Sequence, residues 1–256
     1  MPFLGDIRTS LSVLTIIPAR ADLDRRGAVL SYAPVVGALL GTGVAALVAL
    51  GHALLQGPIG ALLNAVLVLA ALAVVTRGMH LDGLADTADG FGPLAGRDRA
   101  LEVMRLSDIG PFGVATICFV LLIDTAALAE AISLGRGPVS IAIAVFGGRT
   151  AMLMAGRPSV SAARADGLGA WVAGSVPQPV AWGFPALAVA VTFLAGLAGG
   201  SSAQAARASL ALVAGLIAGL VVTRSAVRRL GGITGDVLGA ICEITTAVVL
   251  LVSAFS

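Results

Sequence analysis

Seven long apolar segments, separated by short polar ones, are the feature that most constrains how this chain can fold. About 20 apolar residues are needed for a helix to cross the roughly 30 Å hydrocarbon core of a bilayer. The chain is 58% hydrophobic and only 12% charged, whereas a soluble domain carries about 25% charged residues. We therefore predict an all-α, polytopic integral membrane bundle with spans at residues 29–55, 57–76, 109–133, 138–156, 179–200, 206–223 and 236–255.

The segments outside these spans are short, and no linker or internal repeat divides the chain. Residues 1–256 are therefore predicted to form a single transmembrane domain. The N-terminal segment that ends at Pro18 is predicted to be an interfacial helix. The sixth span, residues 206–223, is short, so we expect its flanking arginines to snorkel towards the membrane surface. Many glycines and alanines, as in GALLGTGVAALVALG, suit close packing of helices in lipid.

The arginines predict the orientation, because segments on the cytoplasmic side of a membrane are enriched in Arg and Lys. If the N-terminus is cytoplasmic, 13 arginines lie inside, namely Arg8, Arg20, Arg25, Arg26, Arg77, Arg97, Arg99, Arg105, Arg157, Arg164, Arg224, Arg228 and Arg229. Only Arg136 and Arg207 lie outside, and Arg149 falls within a span. The polar segments 77–107, 157–178 and 224–235 are therefore predicted to share the cytoplasmic face.

Charge and cysteine usage exclude several classes of protein. The net charge is only +2, and the arginines are spread along the chain, so the sequence does not predict nucleic-acid binding. Cys118 and Cys242 both lie within apolar runs, without the spacing of a disulfide framework or a zinc site. They are interpreted as packing residues. The composition requires one partner, the lipid bilayer. A homo-oligomer is compatible with the same composition.

The segment HLDGLADTADGFG, residues 80–92, carries the strongest functional signal. Asp82, Asp86 and Asp89 follow the spacing i, i+4, i+7, so on a helix they lie within an arc of about 60°. Carboxylates this close repel one another unless a cation lies among them, and oxygen ligands favour Mg²⁺, Mn²⁺ or Ca²⁺. We therefore predict a metal site, with a solvated loop of incidental acids as the alternative. Gly83 and Gly90 are expected to let a substrate approach the backbone.

Three further polar residues lie near this segment or within the spans. His80 would point away from the aspartates on a continuous helix, so it is expected to act from the turn before the helix, as a base, as a phosphate donor or as a residue that orients the metal ligands. Asp124 and Glu243 lie within spans, where acids usually face protein or a wet cavity. Asp124 is interpreted either as a partner of Arg149 or as a packing residue. Glu243 is close enough to the cytoplasmic surface to join the site.

GGITGD, residues 231–236, lies where the chain re-enters the membrane. The simplest interpretation is a turn with Asp236 as the helix N-cap. However, a cap does not require three glycines and a threonine, whereas backbone donors packed against a phosphate favour such residues. The predicted topology puts this segment on the same face as the aspartates. Asp236 and Thr234 are therefore predicted to belong to the same active site.

The residue pattern alone predicts a membrane enzyme that handles a phosphate or diphosphate through a divalent metal, and several families fit. CDP-alcohol phosphotransferases share the start of the motif at Asp86, Asp89 and Gly90, but Pro93 and Leu94 stand where their motif has Ala-Arg. Membrane prenyltransferases carry two aspartate motifs, and this chain has one. A transporter with an acid relay through Asp124, Arg149 and Glu243 is the alternative from another class.

The aspartate segment resembles the signature of the cobalamin synthase family, the adenosylcobinamide-GDP ribazoletransferases. Further stretches resemble that family in collinear order over nearly the whole chain: LSVLTIIPAR, YAPVVGALLGTG, RLSDIGPFGVA, ARADGLGAWV and GGITGDVLGAICEIT. One position departs from the pattern, since Thr246 stands where many relatives have a second acid after Glu243. The role of this position is therefore left open.

The resemblance implies a magnesium-dependent enzyme of the cytoplasmic (inner) membrane. A hydroxyl of alpha-ribazole, or of its 5'-phosphate, would attack the phosphate on the cobinamide side of adenosylcobinamide-GDP, and GMP would leave. The residues predicted to act in this reaction are Asp82, Asp86 and Asp89 for the metal, Asp89 or His80 as the base, Asp236 in catalysis, and Arg105, Ser107, Arg164, Thr234 and Glu243 for substrate. The glycines of IGPFG are expected to supply backbone donors, with a plain helix start at Pro111 as the alternative.

Overall fold

The computed structural model describes residues 2–19, 22–93, 96–198 and 201–255. Its α-helices, in chain order, are α1 Pro2–Leu14, α2 Val29–Leu54, α3 Gly57–Val75, α4 Met79–Phe91, α5 Arg97–Val103, α6 Pro111–Ser133, α7 Gly137–Ala155, α8 Gly167–Val172, α9 Gln178–Ala198, α10 Ser202–Leu230 and α11 Gly235–Ala254. A 3₁₀ helix, Leu23–Ala28, precedes α2. The described residues form no strands, and one isolated bridge joins Ala162 to Ile233.

Seven of these helices, α2, α3, α6, α7, α9, α10 and α11, are long and apolar enough to cross a membrane. They correspond one to one with the seven predicted spans, so the predicted helical membrane bundle is confirmed. The prediction that the sixth span is short was wrong, because α10 has 29 residues. It continues past Thr223 through Arg224, Arg228 and Arg229, so these arginines belong to the helix itself.

The predicted N-terminal helix is present as α1, but it ends at Leu14, four residues before Pro18. The Ser10 hydroxyl donates to the Val29 carbonyl at 2.9 Å, and the Ile16 amide donates to the Val75 carbonyl at 2.8 Å. These bonds fix α1 and the segment after it against the start of α2 and the end of α3.

The two most buried spans, α7 and α11, form the centre of the bundle, and α9 is the least buried. Small residues allow close contact at the centre. A Cβ on Gly41 of α2 would lie 2.8 Å from the Ala142 carbonyl oxygen of α7, and one on Gly148 of α7 would lie 2.8 Å from the Cys242 carbonyl oxygen of α11. This is the packing expected where glycine lets helix backbones approach in lipid.

The polar segments gather at one end of the bundle, here called the site end. It contains α4, α5, residues 156–177 and the turn at residues 231–234. The Arg97 side chain connects these segments, because Nε donates to the Leu230 carbonyl at 2.8 Å and Nη2 to the Ala163 carbonyl at 3.0 Å. The opposite end, here called the far end, contains the connections α2–α3 and α6–α7, the end of α9 and the start of α10. The site end therefore holds the segments that the sequence predicts to share a face.

Candidate active site

The aspartates lie on α4, a helix that begins after a sharp change of chain direction. Arg77 and Gly78 both have positive φ, 56° and 65°, and this conformation separates α4 from the end of α3. Asp82, Asp86 and Asp89 all lie within α4, as their spacing predicted. Their side chains are progressively less exposed along the helix, since Asp82 is exposed, Asp86 half-buried and Asp89 buried. The three carboxylates therefore do not have equal access to a ligand.

Two glycines let α4 pack directly against α11. A Cβ on Gly83 would lie 2.6 Å from the Asp236 carbonyl oxygen, and a Cβ on Gly239 would lie 2.9 Å from the His80 carbonyl oxygen. The expectation that Gly83 and Gly90 leave room for a substrate was wrong. Gly83 faces α11, and a Cβ on Gly90 would meet the Met104 side chain and the Ala100 carbonyl oxygen. The glycines allow helix packing, and this packing brings Asp236 beside the α4 carboxylates.

Asp89 is held by the start of α6. Its Oδ2 accepts from the Gly110 amide at 2.7 Å, and its Oδ1 accepts from the Gly113 amide at 2.9 Å. Both amides belong to the IGPFG segment, so these two donors serve Asp89 and the expectation that they bind substrate was wrong. A negative charge at a helix N-terminus is stabilising. This geometry gives Asp89 a positioning role between α4 and α6, and its predicted roles as a metal ligand and base stay predictions.

Ser107 lies on the exposed segment before α6, where its hydroxyl is 3.5 Å from the Asp108 carboxylate. It does not line the pocket at the site end. The structure therefore does not place Ser107 in the pocket with Thr234, although both are predicted to bind substrate.

The segments 161–168 and 231–236 meet at the entrance of α11. The Ile233 amide donates to the Ser161 carbonyl and the Ala163 amide to the Ile233 carbonyl, both at 2.9 Å. Gly232 is required here, since a Cβ would lie 2.2 Å from the Ser161 carbonyl oxygen. At least one glycine of GGITGD, Gly232, is therefore explained by this backbone contact.

Thr234, and not Asp236, is the N-cap of α11. The Thr234 hydroxyl accepts from the Val237 amide at 3.2 Å and donates to Asp236 Oδ2 at 3.1 Å. The interpretation of Asp236 as the cap was therefore wrong. Its carboxylate instead faces Arg164, with Oδ2 3.7 Å from Nη1. Since the cap is supplied by Thr234, the Asp236 side chain is available for another task.

A pocket of about 330 Å³ opens beside these residues, and it brings together three of the predicted substrate-binding residues and Asp236, which is predicted to act in catalysis. It is lined by Arg105, Arg164, Asp166, Gly167, Leu168, Thr234, Gly235 and Asp236.

The two arginines of the pocket differ in their burial and in their partners. Arg105 pairs with both oxygens of Asp166 at 3.0 and 3.1 Å on the surface. Arg164 is largely buried, donates from Nη2 to the Leu101 carbonyl at 2.8 Å, and has no described partner for its Nε.

The electrostatics of α4 suit a cation. Burial, followed by repulsion from Asp82, Asp236 and Asp89, raises the pKa of Asp86 to about 7, and Arg164 opposes this effect only in part. The donors are all carboxylate oxygens, which is the set that Mg²⁺ prefers. A divalent cation held by Asp82 and Asp86 would relieve this repulsion. The chemistry of these ligands is therefore compatible with Mg²⁺, and the predicted metal site stays a prediction.

His80 lies in the first turn of α4 and not in the turn before it. As expected from its helical position, it points away from the aspartates, into the bundle. It is only 3% exposed, and Arg149 Nη2 lies 3.4 Å from its Nδ1. Burial, followed by the charge of Arg149, lowers the pKa of His80 well below its ordinary value. A neutral imidazole at this place is separated from the pocket, and its predicted role as base stays a prediction.

Glu243 belongs to the same buried cluster. Potential ligand atoms of His80, Cys242 and Glu243 lie within 4.8 Å of one another. The Arg149 guanidinium lies beside this group and contacts His80, so it supplies a positive charge there. This arrangement is a buried polar network, and it places Glu243 outside the group that lines the pocket.

The predicted pairing of Asp124 with Arg149 is not found among the ion pairs of the described residues. Thr246 bonds the Cys242 carbonyl at 2.9 Å, which is a packing role.

Several important contacts join residues far apart in sequence, so no local pattern signals them. Arg149 meets His80 across 69 residues, and Arg105 meets Asp166 across 61. Arg229 donates to the Phe91 carbonyl at 2.8 Å and lies over its ring. The apolar context of Arg149 is the one signal that could have marked it, because an arginine in a span requires a partner.

Comparison with known proteins agrees with the sequence motifs. A model of the family described as cobalamin-5-phosphate synthase matches residues 6–254. A protein of Frankia casuarinae named adenosylcobinamide-GDP ribazoletransferase is 43% identical, over 98% of this chain and 95% of its own length. Proteins of the same name from a Nocardioides species and from Bradyrhizobium diazoefficiens are 38% and 33% identical over 95% and 98% of this chain, and over 96% and 94% of their own lengths.

No solved structure shows significant similarity to the chain. The family match, in contrast, covers nearly all of it and includes α4, the 161–168 segment and the entrance of α11. The chain therefore belongs to the cobalamin-5-phosphate synthase family.

Proposed function

We propose that this membrane protein is an adenosylcobinamide-GDP ribazoletransferase, which joins alpha-ribazole, or its 5'-phosphate, to adenosylcobinamide-GDP and releases GMP. The name of its relatives supports the activity. The observation that carries the assignment of the site is the contact of Gly83 with the Asp236 backbone. This contact gathers Asp82, Asp86, Asp236 and Arg164 at one end of the bundle. Oxygen ligands beside a guanidinium are the groups that a diphosphate requires.

In the proposed reaction, a ribazole hydroxyl oxygen forms a bond to the phosphorus on the cobinamide side. The bond from this phosphorus to the bridging oxygen breaks, and GMP leaves with that oxygen. Magnesium, when bound, would neutralise the charge of the diphosphate and of the leaving phosphate. Asp82 and Asp86 would hold it, and Arg164 would hold phosphate oxygens. The hydroxyl proton would pass to Asp236, whose described contacts both use Oδ2 and so leave Oδ1 for the substrate.

The two arginines of the pocket would contribute differently to phosphate binding. Arg105 is already neutralised by Asp166, and both side chains are exposed, so its pairing is worth little. Arg164 lines the pocket, and its ion pair with Asp236 is long, at 3.7 Å, so its Nη1 would donate to an incoming phosphate oxygen. We therefore assign the main phosphate contact to Arg164. Arg105 is assigned to the rim of the pocket.

We also infer that the site end faces the cytoplasm. The excess of arginines in the segments of this end supports that orientation. The substrates would then reach the site from the side of the cell where nucleotides are available.

The test of this function is GMP release by the purified protein in lipid nanodiscs. Adenosylcobinamide-GDP, alpha-ribazole and Mg²⁺ are supplied together, and each is omitted in turn. GMP and a corrinoid with a closed nucleotide loop are expected only in the complete mixture. A CDP-alcohol with a lipid acceptor serves as the matched alternative substrate. Turnover of that pair without GMP release from the corrinoid would contradict the proposal.

A further inference from the structure

A second cavity lies at the far end of the bundle, opposite the proposed active site. It has a volume of about 540 Å³ and lies between α7, α9, the start of α10 and the end of α11. Its walls include Val139, Ile143 and Val191, and its polar groups include Ser140 and Gln204. Arg136 and Arg207 also line it. These are the only two arginines that the sequence predicts for this side of the membrane, and both border the same cavity.

The charges of this cavity are not balanced by the protein groups described. Arg136 donates to the Phe255 carbonyl at 3.4 Å, which leaves its charge unpaired. Within the described ranges, no carboxylate forms an ion pair with Arg136 or Arg207. Two guanidiniums beside one cavity therefore favour an anionic ligand.

The apolar wall lies deeper than the charges. Arg136 directly precedes α7, and Ile143 lies seven residues later, so it is about 10 Å further along the helix axis. Arg207 lies in the second turn of α10. In a bilayer this places guanidiniums at the level of the headgroups and the aliphatic side chains at the level of the acyl chains. The ligand that matches both levels is an amphiphile with an anionic head.

We propose that this cavity, here called the far-end crevice, binds an anionic phospholipid. Its phosphate lies between Arg136 and Arg207, and one acyl chain runs along Val139, Ile143 and Val191. The crevice has a size typical of ligand sites. It is separate from the active site, because 23 residues of α10 between Arg207 and Leu230 extend about 35 Å. The binding of lipid here therefore does not depend on the proposed enzymatic activity.

The experiment compares phosphatidylglycerol with phosphatidylcholine, both carrying a photoreactive group in the acyl chain, on the full-length protein in nanodiscs. Cross-links are mapped by mass spectrometry. Phosphatidylglycerol should label α7 and α9 near Ile143 and Val191 at least fivefold more than phosphatidylcholine. The double variant R136Q/R207Q should lose this preference. The matched control R99Q/R228Q removes two exposed arginines of the site end and should retain it.

A second variant distinguishes lipid that binds inside the far-end crevice from lipid that is only attracted by the charge of the two arginines. Ala208→Phe keeps both arginines but places a ring in the cavity, so it should reduce labelling of α7 and α9 by both lipids. Equal labelling of wild type by both lipids, or an unchanged preference in R136Q/R207Q, would overturn the proposal. Labelling that Ala208→Phe does not change would also overturn it.

Discussion

Gly83 of α4 packs against the backbone of Asp236 at the entrance of α11, and a methyl group at Gly83 would lie 2.6 Å from the Asp236 carbonyl oxygen and 2.9 Å from its Cα. The neighbouring atoms are backbone atoms, which cannot rotate away. This contact sets the separation between Asp236 and the carboxylates of α4. The geometry of the proposed site therefore depends on the absence of one side chain.

Gly83→Ala is expected to lower both stability and turnover, because α4 must move away from α11. Overpacking of this kind costs about 1–3 kcal/mol. The matched control is Gly43→Ala in α2, where a Cβ meets no atom within 4 Å. GMP release and the thermal midpoint are measured for both variants. A fully active Gly83→Ala would mean that the helix separation is not critical.

The spans and α4 could be predicted from the sequence because both depend on local patterns. Apolar length defines a span, and the spacing of Asp82, Asp86 and Asp89 defines a helical face. The contacts that shape the site could not be predicted in this way. Asp89 accepts from Gly110 and Gly113, more than 20 residues later, and nothing near Asp89 signals these partners. The same holds for Gly83, since a glycine between two acids equally fits substrate access or helix packing.

The second prediction concerns the metal-free protein and its pH dependence. The pKa of Asp86 is raised from 3.8 to about 7 in the folded state, so the folded protein keeps a proton that the unfolded chain releases. Stability from this group is therefore present below about pH 4 and is lost as the pH rises towards 7 and above. In chelator, the thermal midpoint should fall between pH 5 and pH 8. Asp86→Asn should make this fall smaller.

The thermal midpoint measured with Mg²⁺ complements the experiment in chelator. It should raise the thermal midpoint at pH 8, where Asp86 is ionised, and have little effect at pH 5. Asp82→Asn and Asp86→Asn should abolish this rise and most of the turnover. Asp98→Asn, which changes a carboxylate exposed on the same end, is the control and should behave as wild type. A full magnesium response in both Asp82→Asn and Asp86→Asn would exclude these residues as the metal site.

A third prediction separates Asp89 from the other two aspartates. Asp89→Asn places an amide group against the N–H of Gly110 or Gly113, which leaves a buried donor unpaired. The expected cost is about 1–3 kcal/mol of unfolding free energy. Asp82 is exposed and its charge repels Asp86, so Asp82→Asn should not lower stability in chelator. Equal thermal midpoints for Asp89→Asn and Asp82→Asn in chelator would contradict the positioning role of Asp89.

The orientation in the membrane gives a fourth prediction. In a background with Cys118 and Cys242 replaced by alanine, a cysteine at Gly96 marks the site end, where a Cβ meets no atom within 4 Å. A cysteine at Leu134, which is 43% exposed, marks the far end. An impermeant thiol reagent applied to intact cells should label position 134 and not position 96. The reverse pattern would place the site end outside the cell.

The central claim is that Asp236 acts on the same phosphate as the α4 carboxylates, and Asp236→Asn tests it most directly. This variant keeps the shape of the side chain, and Thr234 continues to cap α11. GMP release from adenosylcobinamide-GDP with alpha-ribazole and saturating Mg²⁺ should fall about a hundredfold, equivalent to about 2.7 kcal/mol of transition-state stabilisation. The thermal midpoint should stay close to that of wild type. GMP release at nearly the wild-type rate would contradict the claim.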